Sequence, residues 1–266
     1  MEGVAEPAVL YEVQDQIAQI TLNRADNRNS MTDEVLEGLR AAVVRAREDA
    51  DLRCVIVTGR GRSFCAGADF RTQVQRAEGT RPLLPHERSF SMYSPFLSVL
   101  QLEVPTIAAL NGHAIGGGLG LAVVCDIRVA NQDAKYGANF TRLGLHPGMA
   151  TTYILPRLIG LPRATELLLT GRIFTGREAA EWGLAQYAVP EDQVLDKSWE
   201  LAREIASAAP IAVRMTKASI YRGIGWDPTE AARLEAHAQS RSLETEDAEE
   251  GIQALLEKRP PVFKGR

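Results

Sequence analysis

Two stretches of small residues carry the clearest chemistry in this chain. The longer is Asn111-Gly112-His113-Ala114-Ile115-Gly116-Gly117-Gly118-Leu119-Gly120. It follows the apolar run Val104 to Leu110, which reads as a buried strand, and precedes Leu121 to Cys125, which can open a helix. Glycines at such a junction let a ligand reach the backbone, because no Cβ stands in the way. The first N–H groups of the helix are then unpaired and point outward. With the helix dipole they suit a bound phosphate, or an oxygen that turns negative during a reaction. The spacing is not a dinucleotide fingerprint: Gly-x-Gly-x-x-Gly threads only loosely through Gly112 to Gly120, and no spaced ribose acid follows. A tight turn packed on a neighbour would use the same residues. The second stretch, Ser63-Phe64-Cys65-Ala66-Gly67-Ala68-Asp69, also follows a buried strand, Arg53 to Thr58, and the turn Gly59-Arg60-Gly61-Arg62.

These loops need elements to hold them. Val9 to Val13 and Ile17 to Leu22 read as strands, the second with half-buried alternation. Thr32 caps a helix with Asp33 and Glu34 in its first turn, and Leu36, Leu39, Val43 and Val44 form its apolar stripe. Arg71 to Arg88 reads as a polar loop of the kind that borders sites, followed by a helix from Ser89 to Leu102. Further strands are expected at Cys125 to Ala130, Lys135 to Gly137 and Gln186 to Val189, with helices at Ala150 to Ile159 and Arg163 to Leu169 and another opened by Thr175 and its capping-box partner Glu178. From Glu191 onward the pattern is helical. The shift near 190 divides a mixed α/β core, residues 1–190, from a helical region, 191–266.

Composition narrows the classes of partner. The chain has 266 residues, 45% of them hydrophobic, with a net charge of −4 and no basic block, which argues against nucleic acid. No stretch reaches the ~18 apolar residues of a membrane span, and Glu2 and Glu6 stand where a signal peptide would be apolar or basic. Three cysteines, Cys54, Cys65 and Cys125, without C-x-x-C spacing predict reduced thiols in a cytoplasmic protein. Four scattered histidines, His86, His113, His146 and His237, predict no metal site.

In order and spacing these motifs resemble the crotonase superfamily, the enoyl-CoA hydratase/isomerase family. The resemblance rests on Asn23-Arg24 and Asn29, on Ser63 to Asp69, on Asn111 to Gly118, and on Cys125-Asp126-Ile127-Arg128-Val129-Ala130. It implies an α/β spiral of repeated strand–strand–helix units, with C-terminal helices that form a homotrimer or a dimer of trimers. It implies an acyl-CoA ligand, with coenzyme A entering as part of the substrate and no permanently bound cofactor. It also implies an oxyanion hole of two backbone N–H groups, by position those of Ala68 and Gly117, with Ala66 and Gly116 beside them.

The chain departs from the family's pattern at two positions. Hydratases of the family carry two glutamates; the matching positions are Gly120 and Phe140, and neither side chain carries a proton. The aspartate nucleophile of the family's aryl-CoA dehalogenases falls on Gly148. His146, on the loop that would border the acyl end, is the first candidate for a replacement acid or base; a turn histidine bonded to backbone is the alternative. Asp69 could meet the ligand's polar tail or bond backbone, and His113 reads as a buried, satisfied histidine. His86, Glu87, Tyr93 and Thr141 are weaker candidates. Arg24, Arg28 and Lys264 could meet coenzyme A phosphates or be surface charges. Phe140 favours a bulky or apolar acyl group. Three functions follow: an acyl-CoA enzyme whose acid and base are not the usual glutamates, a non-catalytic acyl-CoA binder, or a structural subunit of an acyl-CoA complex.

Overall fold

The computed structural model describes residues 6–69 and 84–266. Its organising feature is a repeated step between two sheets. Strands β1 (Val9–Gln14), β2 (Ile17–Leu22), β3 (Cys54–Gly59), β5 (Thr106–Leu110), β7 (Ile127–Asn131) and β10 (Tyr187–Val189) lie in that order in a six-stranded sheet, parallel except for the β1–β2 hairpin. A second sheet is ordered β4 (Ser63–Cys65), β6 (His113–Ile115), β8 (Lys135–Gly137) and β9 (Phe174–Thr175). Three strands of the first sheet are each followed at once by a short strand of the second: β3 by β4, β5 by β6, β7 by β8. The two sheets stack these pairs in the same order, so the chain climbs as a spiral of strand–strand–helix turns.

Asparagines hold the corners. Asn29 is fully buried in a left-handed conformation; its amide donates to the Arg60 and Ser63 carbonyls and its oxygen accepts from Arg24 N–H. Asn111 accepts from Gly59 N–H and donates to the Gly61 carbonyl, while Asn131 donates to the Asn111 carbonyl. A side-chain amide can satisfy a turn's backbone groups from the neighbouring coil, which a backbone that is changing direction cannot do for itself.

The helices cover both faces of the first sheet. They are α1 (Asp33–Glu48), α2 (Pro85–Leu97), α3 (Gly117–Val124), α4 (Thr151–Thr170, broken at Gly160), α5 (Gly176–Glu181), α6 (Val194–Ala206), α7 (Pro210–Gly223), α8 (Pro228–Leu243) and α9 (Glu246–Glu257). α1 and α3 pack into the main core with Leu22, Val57 and Leu110. α6 covers the opposite face with Val194, Leu201 and Ala202 against Ile56, Ile107 and Val129. α7 is pinned to the sheet edge by polar contacts: Lys217 pairs with Asp126 at 2.7 Å and donates to the Val104 carbonyl, and Tyr221 donates to Asp126 at 2.6 Å. α8 buries no residue.

Several expectations shift. The helix expected from Ser89 begins at Pro85, where proline fits the first turn and Glu87 accepts from Leu84 N–H, and it ends at Leu97 in a 3-10 turn, Ser98–Gln101. Of the loop expected over Arg71 to Arg88, residues 71–83 lie outside the described residues. The stripe of α1 is rotated: Val35, Ala42 and Ala46 are buried with Leu36, Leu39 and Val43, while Val44 is exposed. His113 is not a core histidine. It is exposed at the start of β6, and its Nδ1 accepts from Lys135 N–H at 2.9 Å.

Candidate active site

The parallel pairing of β4 with β6 brings the two small-residue loops together, because each loop leaves the end of one of these strands. Contact there is backbone on backbone. A Cβ on Gly67 (φ +85°) would stand 2.6 Å from the Ile115 carbonyl oxygen, and one on Gly118 would stand 1.9 Å from that of Cys65. Any other residue at either place would hold the loops apart.

Two peptide groups are oriented by their carbonyls. Gly67 C=O accepts from Met31 N–H at 2.8 Å, and Gly116 C=O accepts from Gly120 N–H at 3.1 Å inside the first turn of α3. In a planar trans peptide the N–H points away from the C=O. The N–H groups of Ala68 and Gly117 are therefore turned the other way, and neither meets a protein acceptor among the described residues. Ala68, Gly117, Ala66 and Gly116 all line one cavity of about 460 Å³. An oxygen entering it between the two loops would meet two backbone donors, one of them at a helix N-terminus.

The rest of the cavity is largely apolar. Met31, Met92, Ile115, Leu143, Leu145 and Met149 form its walls with Phe140. The polar side chains there are Ser89, Tyr93, Asn139 and His146, and no Asp or Glu among the described residues lines it. Met31 and Met149 reach the site from distant parts of the sequence. Met149 and Ala150 both hold left-handed backbones, with φ of 58° and 54°, which costs non-glycine residues roughly 1–3 kcal/mol each. That geometry aims Met149 at Gly120: a Cβ on Gly120 would lie 2.4 Å from Met149 Cβ. The space beside Gly120, the fourth residue of α3, is thus filled by the Met149 side chain. Gly148 is covered in the same way by Tyr93, whose hydroxyl would stand 2.5 Å from a Cβ there.

A mutant cycle checks this packing. Gly120→Ala is expected to cost about 1–3 kcal/mol of stability as an overpacked site. Most of that cost should vanish in a Met149→Gly background, which removes the Cβ that stands 2.4 Å away, so that denaturant unfolding shows a coupling above ~0.5 kcal/mol. Additive effects would mean that Met149 does not fill the Gly120 position.

The sequence candidates separate clearly. Ala66, Ala68, Gly116, Gly117, Phe140, His146 and Tyr93 line the cavity. His146 Nδ1 lies 2.7 Å from the Pro147 carbonyl oxygen, which only a protonated Nδ1 can satisfy; Nε2 then carries the free lone pair. Arg28, Asp69 and Lys264 do not line it. Arg28 serves through its backbone, its carbonyl accepting from Ala66 N–H at 3.0 Å. Asp69 has a partner of its own. Lys264 sits in the C-terminal tail, where its N–H donates to Asp247 at 2.6 Å. Arg24 is paired with Asp26 and Glu34, and Thr141 is tied to the Leu168 carbonyl. Burial pushes the thiols of Cys54, Cys65 and Cys125 up to about 12, which leaves them inert as nucleophiles. Met31, Asn139 and Met149 were not singled out by the sequence. Only an apolar residue just ahead of the Thr32 cap hinted at Met31.

Paired sheets climbed by strand–strand–helix turns, with two open amides facing an apolar cavity, define the crotonase-type spiral. The chain belongs to the enoyl-CoA hydratase/isomerase family, whose model matches residues 12–266. An (E)-benzylidenesuccinyl-CoA hydratase of Thauera aromatica is 36% identical, covering 97% of this chain and 99% of its own. The human mitochondrial methylglutaconyl-CoA hydratase is 35% identical, covering 96% and 76%. The crystal structure of an enoyl-CoA hydratase from Bacillus anthracis superimposes with a TM-score of 0.90 at 38% identity, covering 97% of this chain and all of that one (100%).

Proposed function

We propose that this chain is an acyl-CoA enzyme that binds a thioester carbonyl between the N–H groups of Ala68 and Gly117 and stabilises the enolate formed there. The observation that carries this reading is the pair of unpaired backbone donors facing one apolar cavity. Negative charge that develops on the carbonyl oxygen would meet donors that need no reorganisation, in surroundings that screen poorly. Each such donor is worth roughly 2.7–4 kcal/mol of barrier. The related hydratases support a coenzyme A thioester as substrate.

The proton is moved by groups other than the usual two glutamates. His146 is assigned as the acid/base: its Nδ1–H is held by Pro147, which leaves Nε2 to take a proton from the substrate and return it. Tyr93 is the next candidate among the proton-bearing side chains of the cavity. With Met149 against Gly120 and Phe140 on the wall, two-carboxylate activation of water has no place in the described site.

The same lack of a carboxylate favours a second reading, a binder that holds acyl-CoA without turning it over. Incubation with saturated, unsaturated, branched and aromatic acyl-CoAs, read by mass spectrometry beside a binding assay, separates the two. Binding with turnover supports the enzyme, binding alone supports the second reading, and no binding of any coenzyme A thioester refutes both.

A further inference from the structure

We propose that Met31 is the positioning residue of the oxyanion hole: its backbone orients the Ala68 donor, and its thioether props the Gly117 donor. This rests on the acyl-CoA reading above and adds what holds the two donors at their spacing. The N–H of Met31 donates to the Gly67 carbonyl at 2.8 Å, which turns the Gly67–Ala68 peptide, and Met31 and Ala68 form an isolated parallel bridge. The side chain of the same residue runs to the other loop. A Cβ on Gly117 would lie 2.4 Å from Met31 Sδ, 3.5 Å from its Cε and 3.7 Å from Gly67 Cα. The sulfur therefore sits directly on Gly117, with the loop that carries Ala68 beside it.

Such a prop answers a physical need. Gly116, Gly117 and Gly118 are consecutive, and glycine has more backbone freedom than any other residue. The bond from Gly120 N–H to the Gly116 carbonyl holds the Gly116–Gly117 peptide from within α3, and Met31 Sδ holds it from outside. Met31 is itself firmly placed. It is 4% exposed, Asn29 two residues earlier is fully buried and donates to the Arg60 and Ser63 carbonyls, and Thr32 after it caps α1 by accepting from Val35 N–H. A donor is preorganised when packing fixes the group that carries it. A misplacement on the order of 1 Å costs about 100-fold in rate. The contact with Gly117 demands reach, a heavy atom at the δ position, which leucine has and valine and alanine lack. The backbone N–H is common to all of them, so these substitutions remove the support of Gly117 and spare that of Ala68.

The test uses hexanoyl-CoA labelled with carbon-13 at the thioester carbonyl, with the full-length protein and its Met31→Leu, Met31→Val and Met31→Ala variants. Three quantities are read: affinity, the infrared carbonyl stretch of the bound thioester, and exchange of the hydrogens on the carbon next to the carbonyl in heavy water. Exchange reports the enolate. A proton leaves that carbon for the enzyme's base, the C–H pair becomes the new C=C bond as a C=O pair moves onto the oxygen, and a solvent-derived deuteron returns. Met31→Val and Met31→Ala are expected to exchange about 100-fold more slowly than wild type, with affinity within ~10-fold and the bound band part of the way back to its free position. Met31→Leu is expected to restore the band and to bring the rate within ~10-fold of wild type, as a volume-conserving swap that keeps the δ atom. A wild-type band and rate in Met31→Val overturn the inference, and so does a Met31→Leu protein as impaired as Met31→Val. The leucine and valine pair decides if Met31→Ala does not fold. If the wild-type protein leaves the band of bound hexanoyl-CoA unshifted, or binds no coenzyme A thioester, the functional reading beneath is what fails.

Discussion

Gly118→Ala is expected to lower turnover by roughly 100- to 1,000-fold and to destabilise the fold by about 1–3 kcal/mol. The added methyl would stand 1.9 Å from the Cys65 carbonyl oxygen, 2.7 Å from its carbon and 3.0 Å from Cys65 Cβ. None of these is the far end of a flexible side chain, and Cys65 is fully buried at the end of β4. The start of α3 must therefore retreat from the β4 loop, and these are the two pieces of backbone that carry Gly117 N–H and Ala68 N–H. A misplacement on the order of 1 Å in a reacting geometry costs about 100-fold, and loss of one oxyanion donor costs 100- to 1,000-fold. Gly223→Ala is the control. Gly223 closes α7, has no atom within 4 Å of its Cβ position, and should leave turnover unchanged. Kinetics with denaturant unfolding on both variants separates the effects. If Gly118→Ala turned over as fast as Gly223→Ala, the two loops would not form the reacting site.

His146→Ala is expected to lower kcat by about 100- to 10,000-fold, the usual worth of a general acid or base, with affinity for a saturated acyl-CoA retained. The side chain is exposed at the cavity wall and, among the described residues, makes one protein hydrogen bond, to Pro147, so its loss should not disturb the fold. His146→Gln keeps an amide donor for that carbonyl and removes the titrating nitrogen. It should be as slow as the alanine variant if the imidazole moves the proton, and close to wild type if the residue only braces the loop. Unchanged kcat in both variants would transfer the role to another group, with Tyr93→Phe the next variant to make.

Much of the fold was legible because its determinants are local. Ile17–Leu22 is found with its expected bounds, but it is buried along almost its whole length instead of half-buried, because sheet and helices cover both its faces, and α3 starts at Gly117, inside the glycine cluster, four residues before the expected Leu121. The meeting of Ala66–Ala68 with Gly116–Gly117 was legible through the resemblance, and the parallel β4–β6 pairing supplies its physical reason. What could not be read is made by distant turns of the spiral. Met149 reaches Gly120 because two consecutive residues adopt left-handed backbones that no glycine announces. Tyr93 meets Gly148 because α2 crosses above a loop more than fifty residues later in the chain. Val44 was misplaced because a β-branched residue beside Val43 fits the period almost as well as Ala42 and Ala46, whose small side chains are the ones buried. Of the charged candidates, Arg28 holds Ala66 N–H through its carbonyl, and Lys264 does not line the cavity.

The central claim is that the N–H groups of Ala68 and Gly117 hold the thioester oxygen. It is tested most directly by the infrared carbonyl stretch of an acyl-CoA labelled with carbon-13 at the thioester carbonyl, recorded free and bound. Two donors on one oxygen weaken the C=O bond, so the bound band should move to lower frequency in the wild-type protein and return toward the free value in Gly118→Ala. A bound band at the free position in the wild-type protein, with binding established on the same sample, would contradict the account.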